Sequence, residues 1–196
     1  MSEAIFLDRD GVINRKAAEG SYVRTWQEFE FLPGAIEALR RLTGPGRPSL
    51  IVVTNQRGIA RGLVTRAAVD DIHQRMATEL RAAGAVIARI LVCPHEKGMC
   101  ACRKPGIGMF LEAQREDPLL VLEESAVVGD SLADLEAGNR LGARTFLVAS
   151  DGGTTAAAAR TRGLTVHGQA ASLLELVEAG VFEDGVEDVV VAGVPG

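Results

Sequence analysis

Short apolar runs punctuate the chain, and each gives way to a polar loop. Residues 4–7 (AIFL) lead into DRDGVIN, 50–53 (LIVV) into TNQRGIARG, and 86–92 (VIARILV) into CPHEKGMCAC; 126–128 (AVV) precede GDSLAD and 144–148 (RTFLV) precede ASDGG. Continuous rather than alternating hydrophobicity is how the strands of a parallel sheet read when both faces are covered. The stretches between them carry helical signals. PGAIEALRRLT (33–43) opens with Pro33 and is stopped by Gly44, Pro45, Gly46 and Pro48. Thr65 is a fitting N-cap for a helix in which Val69, Ile72, Met76 and Leu80 form one apolar stripe and Gly84 the stop. His73 is expected on the polar side of that helix, without a role; His167 is given none either. Helices are further predicted over 132–142, over 154–160 and over 172–182. Strand alternating with helix predicts a doubly wound α/β domain around a parallel sheet. The expected organisation is one domain, 1–182, followed by a tail, 183–196, that carries no functional signal.

Composition changes this picture little. With 196 residues, 47% hydrophobic and 24% charged, the chain is long enough to bury a core without disulfides. The net charge of −5 argues against non-specific nucleic-acid binding. MSEAIFLDRD has no basic region followed by a long apolar stretch, and no run is long enough for a membrane span. The expected location is therefore the cytoplasm, where thiols stay reduced. There the three cysteines, Cys93, Cys100 and Cys102, all within ten residues and with His95 among them, suggest a metal or catalysis before a disulfide.

In open α/β sheets the active site lies beyond the carboxyl ends of the strands, and four loops at such ends hold unusual residues. Asp8-Arg9-Asp10-Gly11 follows the first run. Its carboxylates read either as a strand-end turn or as a nucleophile with an acid/base partner, since a spacing of two lets both reach one side of an extended chain. Thr54-Asn55-Gln56-Arg57-Gly58 offers a hydroxyl and backbone amides suited to phosphate oxygens. Arg103-Lys104-Pro105 offers two cations, which are either solvated surface or a phosphate clamp. In Gly129-Asp130-Ser131, Asp130 is a natural magnesium ligand that Asp134, one helical turn on, could support. Together Asp8, Asp10, Thr54, Lys104 and Asp130 suit phosphoryl chemistry, with carboxylates for magnesium and Thr and Lys for the phosphoryl group.

The order FLDRDGVIN, VVTNQ, RKP and VVGDS-x-x-D, spread over residues 4–148, closely resembles the haloacid dehalogenase (HAD) superfamily of phosphatases. The resemblance implies a HAD-like Rossmannoid fold and an aspartyl-phosphate at Asp8. It implies that Asp10 protonates the leaving oxygen and then activates water, and that Thr54 and Lys104 bind the phosphate. Magnesium would be held by Asp8, the backbone carbonyl of Asp10, and Asp130. With CPH…C-x-C-RKP the likeness narrows to the D-glycero-D-manno-heptose 1,7-bisphosphate 7-phosphatases and their relatives, the histidinol-phosphate phosphatases. In both a Cys, His, Cys, Cys set binds structural zinc, matched here by Cys93, His95, Cys100 and Cys102; three thiolates and one imidazole close a tetrahedral site. The alternative is free thiols or a redox switch.

Two departures from these families stand out. Only four residues separate His95 from Cys100, with Gly98 to relax the turn, and Ser131 stands where many heptose bisphosphate phosphatases carry a lysine. Arg57 is expected to substitute in part for that lysine. The segments between the motifs leave no room for a cap domain, so an open site is expected, walled by the cysteine loop and by 14–31. In that segment Tyr22, Trp26, Phe29 and Phe31 are expected to staple the chain to the body. The expected cofactors are Mg2+ and Zn2+, and the expected partner is a small phosphorylated sugar, with no nucleic acid or membrane; the expected form is a monomer. Histidinol-phosphate phosphatase is the alternative activity, and a non-catalytic zinc-stabilised binding module the alternative class.

Overall fold

The computed structural model describes residues 1–18, 20–149 and 152–183. Six parallel strands form one sheet: β1 (Ala4–Leu7), β2 (Ser49–Asn55), β3 (Arg89–Cys93), β4 (Ala126–Gly129), β5 (Arg144–Val148) and β6 (Gly168–Ala170). Their spatial order is β3-β2-β1-β4-β5-β6. Chain order therefore runs outward from β1 in one direction, then returns to β4 on its other side. That reversal opens a crevice at the carboxyl ends of β1 and β4, where such sheets bind ligands.

Both faces are covered. On one lie α1 (Ala35–Leu42), α2 (Arg66–Ala82) and α6 (Leu173–Glu178), packed on Ile5, Leu7, Val52 and Val128. On the other lie α3 (Gly108–Glu116) and α4 (Leu132–Leu141), packed on Ala4, Phe6, Ile51, Val53 and Val127, with α5 (Thr154–Thr161) beside α4. Ile5 and Leu7 serve one core, Ala4 and Phe6 the other, because successive strand residues point to opposite faces. This is the reason the strand runs carry no polar alternation.

The stripe Val69, Ile72, Met76 and Leu80 is fully buried, and Thr65 caps α2 by accepting from the Ala68 N–H at 3.1 Å. His73 departs from expectation. It lies on the buried flank of α2, 5% exposed, between the turns that carry Val69 and Met76. Its ring faces inward because Arg9, which is wholly buried, offers it a donor 3.0 Å away.

Two elements carry no sequence signal strong enough to foresee. Helix α3 is nine residues with no side-chain cap at Ile107. Strand β6 is three residues, Gly168 to Ala170, without an apolar run. Strand β3 starts at Arg89 rather than 86, because pairing with β2 begins at Ile51↔Arg89. The expected tail, beyond Glu183, lies outside the described residues. Among the described residues no helix is long and apolar enough to cross a membrane.

Candidate active site

Strand β1 ends at Leu7, and Asp8 follows with its N–H donated to Val128 O at 2.9 Å, which fixes it at the β1–β4 crevice. Lys104 reaches the same point from the loop before α3. Its ammonium, nearly inaccessible, lies 3.0 Å from Asp8 Oδ1, 2.6 Å from Asp134 Oδ1 and 2.6 Å from Val53 O. Those three contacts use all three of its donors. Asn55 sets the lysine's backbone: Asn55 Nδ2 donates to Lys104 O and Lys104 N donates to Asn55 Oδ1, both at 3.1 Å.

Asp134, one turn into α4, belongs to a capping box with Ser131: the Ser131 hydroxyl lies 2.5 Å and the Ser131 N–H 3.2 Å from Asp134 Oδ2. One carboxylate thus caps the helix and anchors the buried lysine. Asp8, Asp130 and Asp134 present oxygens within 4.8 Å of one another. Lys16, from the segment after β1, pairs with Asp130 Oδ2, whereas Asp130 Oδ1 is buried without a hydrogen-bond partner.

Crowding shows in the acid strengths. Burial raises the Asp8 carboxyl to about 7, opposed by Lys104 and reinforced by Asp134, Asp130 and Asp10. Burial raises Asp130 too, against the pull of Lys16. Three close carboxylates and an unpartnered buried oxygen are the hard, oxygen-rich surroundings a magnesium ion fits.

Asp10 behaves oppositely. It is lowered despite burial, because Arg9 sits beside it and Arg9, Asn14 and Gln56 all donate to it. Arg9 Nη2 lies 2.8 and 2.9 Å from its two oxygens, Asn14 Nδ2 3.0 Å from Oδ1, and Gln56 Nε2 2.9 Å from Oδ2. Gln56 Nε2 is also 2.9 Å from Thr54 Oγ1, which joins the ends of β1 and β2. Gly11 closes the turn with φ +96°, and a Cβ there would overlap the Asp130 carboxylate.

A cleft of about 200 Å³ opens over Arg9, Asp10, Asn55 and Gln56 and is walled by residues 16–18 and 20–23. Within the expected staple, Trp26 stacks on Phe29 at 4.9 Å and Phe31 meets Phe29 edge-on at 5.0 Å, so these three pin the segment to the body. Tyr22 instead lines the cleft, its ring against Gly58. Residues 93–102 do not line the cleft; their loop joins it through Gln56, whose N–H donates to Cys93 O at 2.8 Å. Arg57 pairs with Glu96 of that loop, and Ala60 N donates to Pro94 O at 3.1 Å. Arg103 keeps a buried Nη1 with no hydrogen-bond partner.

In the loop itself, Cys93 Sγ lies 3.7 Å from His95 Nδ1 and 3.6 Å from Cys100 Sγ. Cys102 Sγ is 3.3 Å from both His95 Nδ1 and Cys100 Sγ. Sulfurs bound at about 2.3 Å to a tetrahedral zinc stand about 3.8 Å apart, so the four side chains are close to the spacing one ion needs. Gly98, with φ +80°, makes the short turn between His95 and Cys100. Packed thiols resist ionising together: burial, then Cys100 and Cys93, push Cys102 up to about 12. A bound cation would relieve that strain on Cys93 and Cys102, both of which are raised.

Asp8, Lys104, Asp130 and Asp134 come together at this crevice, with Asp10, Thr54 and Gln56 linked beside them; Cys93, His95, Cys100 and Cys102 meet in the loop after β3, with which Arg57 pairs, while His167 lies apart, accepting from Thr145 N at the start of β5. The sequence reading missed Arg9, Asn14, Lys16 and His73. Arg9 lies within the Asp8-Arg9-Asp10-Gly11 loop and Lys16 within the 14–31 segment, and neither had a signal of its own.

A parallel sheet with paired carboxylates at its switch point, a buried lysine and a third strand-end aspartate defines a HAD-type hydrolase. Residues 101–176 match the HAD-hydrolase-like family. Over 151 residues the chain is 44% identical to D-glycero-alpha-D-manno-heptose-1,7-bisphosphate 7-phosphatase of Mycobacterium tuberculosis (strain H37Rv), covering 74% of this chain and 76% of that one. It is 40% identical over 152 residues to the corresponding beta-heptose enzyme of Bordetella bronchiseptica, covering 76% and 82%. The solved structure of D,D-heptose 1,7-bisphosphate phosphatase from B. bronchiseptica, complexed with magnesium and phosphate, superposes with a TM-score of 0.79 at 35% identity, over 91% of this chain and 98% of that one. The chain belongs to the family of heptose-1,7-bisphosphate 7-phosphatases.

Proposed function

We propose that this protein removes the 7-phosphate of D-glycero-D-manno-heptose 1,7-bisphosphate in a magnesium-dependent reaction that passes through an aspartyl-phosphate on Asp8. The observation that carries the reading is the position of Asp8: at the end of β1, beside a buried lysine and two further carboxylates, and next in the chain to Arg9 and Asp10, which line an open cleft. Similarity to the mycobacterial and Bordetella phosphatases supplies the substrate class.

Asp8 attacks the phosphorus in line with the C7 oxygen. The bond from phosphorus to that oxygen breaks, and Asp10 gives the oxygen its proton. Asp10 then takes a proton from water as the water attacks phosphorus, and the bond to Asp8 breaks. Lys104 offsets the repulsion between carboxylate and phosphate. The Thr54 hydroxyl and the backbone amides after β2 donate to the phosphoryl oxygens, with Arg57 and Arg103 as further substrate cations. Asn55 holds the backbone of Lys104, and Gln56 holds Asp10 and Thr54 in register.

Asp8, Asp130 and the carbonyl of Asp10 would hold magnesium, with Asp134 supporting from behind through Lys104 and Ser131. When bound, that ion supplies positive charge between the nucleophile and the phosphate. Cys93, His95, Cys100 and Cys102 would hold zinc in a structural site with no open position. The loop they close is tied to Arg57 through Glu96 and runs directly into Arg103 and Lys104, so its task is to fix where those cations stand. Reduced thiol ligands fit a cytoplasmic location.

The deciding experiment compares kcat/KM for heptose 1,7-bisphosphate, as both anomers, with kcat/KM for histidinol phosphate. We expect the bisphosphate to be preferred. A preference of tenfold or more for histidinol phosphate, about 1.4 kcal/mol in transition-state binding, would assign the protein to the amino alcohol ester instead.

A further inference from the structure

We propose that His73 is a positioning residue for Asp10, acting through Arg9; the inference rests on Asp10 being the proton donor to the leaving oxygen. Arg9 is the largest fully buried side chain of the molecule among the described residues, at 0% exposure. Its guanidinium is strung between two partners. Nη2 grips both oxygens of Asp10, and Nη1 lies 3.0 Å from His73 Nε2, while Nε has no partner. A guanidinium only donates. His73 Nε2 must therefore accept, which places the ring's proton on Nδ1 and leaves the imidazole neutral.

That choice of partner matters. A carboxylate at position 73 would compete with Asp10 for the guanidinium, and a second cation would repel it. A neutral acceptor holds the far end of the fork without drawing it off Asp10. Its mounting matters as well. Asp10 stands on the loop after β1, which has no regular backbone ladder of its own. His73 stands in the middle of a 17-residue helix whose Ile72 and Met76 are locked in the core. The chain His73–Arg9–Asp10 thus transfers the rigidity of α2 to the carboxylate that must meet the leaving oxygen. Remove the acceptor, and the guanidinium keeps one anchored nitrogen and regains freedom to swing. Asp10 then loses its plane, though Asn14 and Gln56 still touch it.

The test uses two substrates that differ in their need for a proton. A sugar alcohol is a poor leaving group and needs the acid; p-nitrophenolate leaves without it. His73→Met fills the space without a comparable acceptor, and His73→Gln restores an oxygen within reach of Arg9. Because Asp10 also activates water in the later step that both substrates share, the rates compared are kcat/KM, which report only transfer to Asp8: we expect His73→Met to lower kcat/KM on the sugar phosphate about tenfold or more, within the range general acids contribute, while kcat/KM on p-nitrophenyl phosphate falls less than about threefold. His73→Gln should return the ratio of the two rates close to that of the parent. Because partial unfolding lowers both rates together, the ratio reports only the folded enzyme; should His73→Met yield no folded protein, His73→Ala is read in the same way. An unchanged ratio in the Met or Ala variant overturns the proposal, as does a shifted ratio that Gln fails to restore. Asp10→Asn separates this from the reading beneath it. If that variant shifts the ratio and the His73 variants do not, only the role of His73 falls. If Asp10→Asn leaves the ratio unchanged, the assignment of Asp10 itself falls.

Discussion

Lys104 Nζ lies 3.0 Å from Asp8 Oδ1, buried at the switch point of the sheet and held there from three sides. The pair is asymmetric. Burial weakens the lysine's charge, but Asp134 and then Asp8 more than compensate, so Lys104 stays cationic. Asp8, among four charged neighbours of which three are acids, remains poised near neutrality at about 7. One buried cation therefore keeps the nucleophile in reach of its ionised form.

Replacing Lys104 by Met removes that cation while leaving the carboxylates. Asp8 should shift further up and be protonated at neutral pH. We expect kcat/KM to fall by about 10²- to 10³-fold, comparable to losing a transition-state donor. Breaking a buried pair by removing one member typically destabilises by about 3–5 kcal/mol, so the melting temperature should drop as well. Steady-state kinetics and thermal melts check both. Lys104→Arg should not rescue, because a planar fork cannot reproduce three convergent contacts from one nitrogen.

Gly11 is required for two independent reasons, its positive φ and the Asp130 carboxylate lying where a Cβ would go. Gly11→Ala should therefore displace Asp130 and weaken magnesium binding. The expected outcome is a higher magnesium concentration for half-maximal activity, read from a titration of hydrolysis rate. An unchanged titration would separate Asp130 from the metal.

Much of this was legible in the sequence because both signals were strong. Short runs such as AIFL and LIVV, each closed by a polar loop, fit strands with two covered faces, and in a parallel sheet the acids and cations that follow them fall at one end. What was not legible depends on partners far away in the chain. His73 looked polar on a helical wheel, and only the buried Arg9 explains why it turns inward. The pairing of Arg57 with Glu96 of the cysteine loop likewise had no signal in the sequence. Lys16, unremarked in its segment, is the cation that reaches Asp130. Strand β6 is specified by its neighbour β5 rather than by its own residues.

Removing metal from the cysteine loop should act at a distance. We expect about one zinc per chain, the stoichiometry of a closed four-ligand site, lost in Cys102→Ser. Loss should lower the melting temperature and reduce hydrolysis, since the loop leads into Arg103 and Lys104. Elemental analysis paired with melts and rates checks this. Zinc-free protein with full activity and an unchanged melt would leave the cluster without that task.

Acid stability should report His73. Burial, then Arg9, lowers it from 6.5 to about 3, so between those values the unfolded chain binds a proton that the folded one refuses. Stability is thus lost as pH falls through that window, by up to about 1.4 kcal/mol per pH unit from this group. Denaturant unfolding from pH 7 down to about 4 should show a shallower decline in His73→Gln than in the parent. Parallel curves would contradict a buried neutral imidazole.

The most direct test of the central claim is a rapid acid quench of enzyme mixed with heptose bisphosphate carrying a labelled 7-phosphate. An Asp8 nucleophile predicts transient label on the protein, mapped to the peptide containing Asp8, rising and decaying with turnover and absent in a folded Asp8→Asn variant that no longer hydrolyses. Phosphate release with no labelled protein at any time, or full turnover by Asp8→Asn, would contradict it.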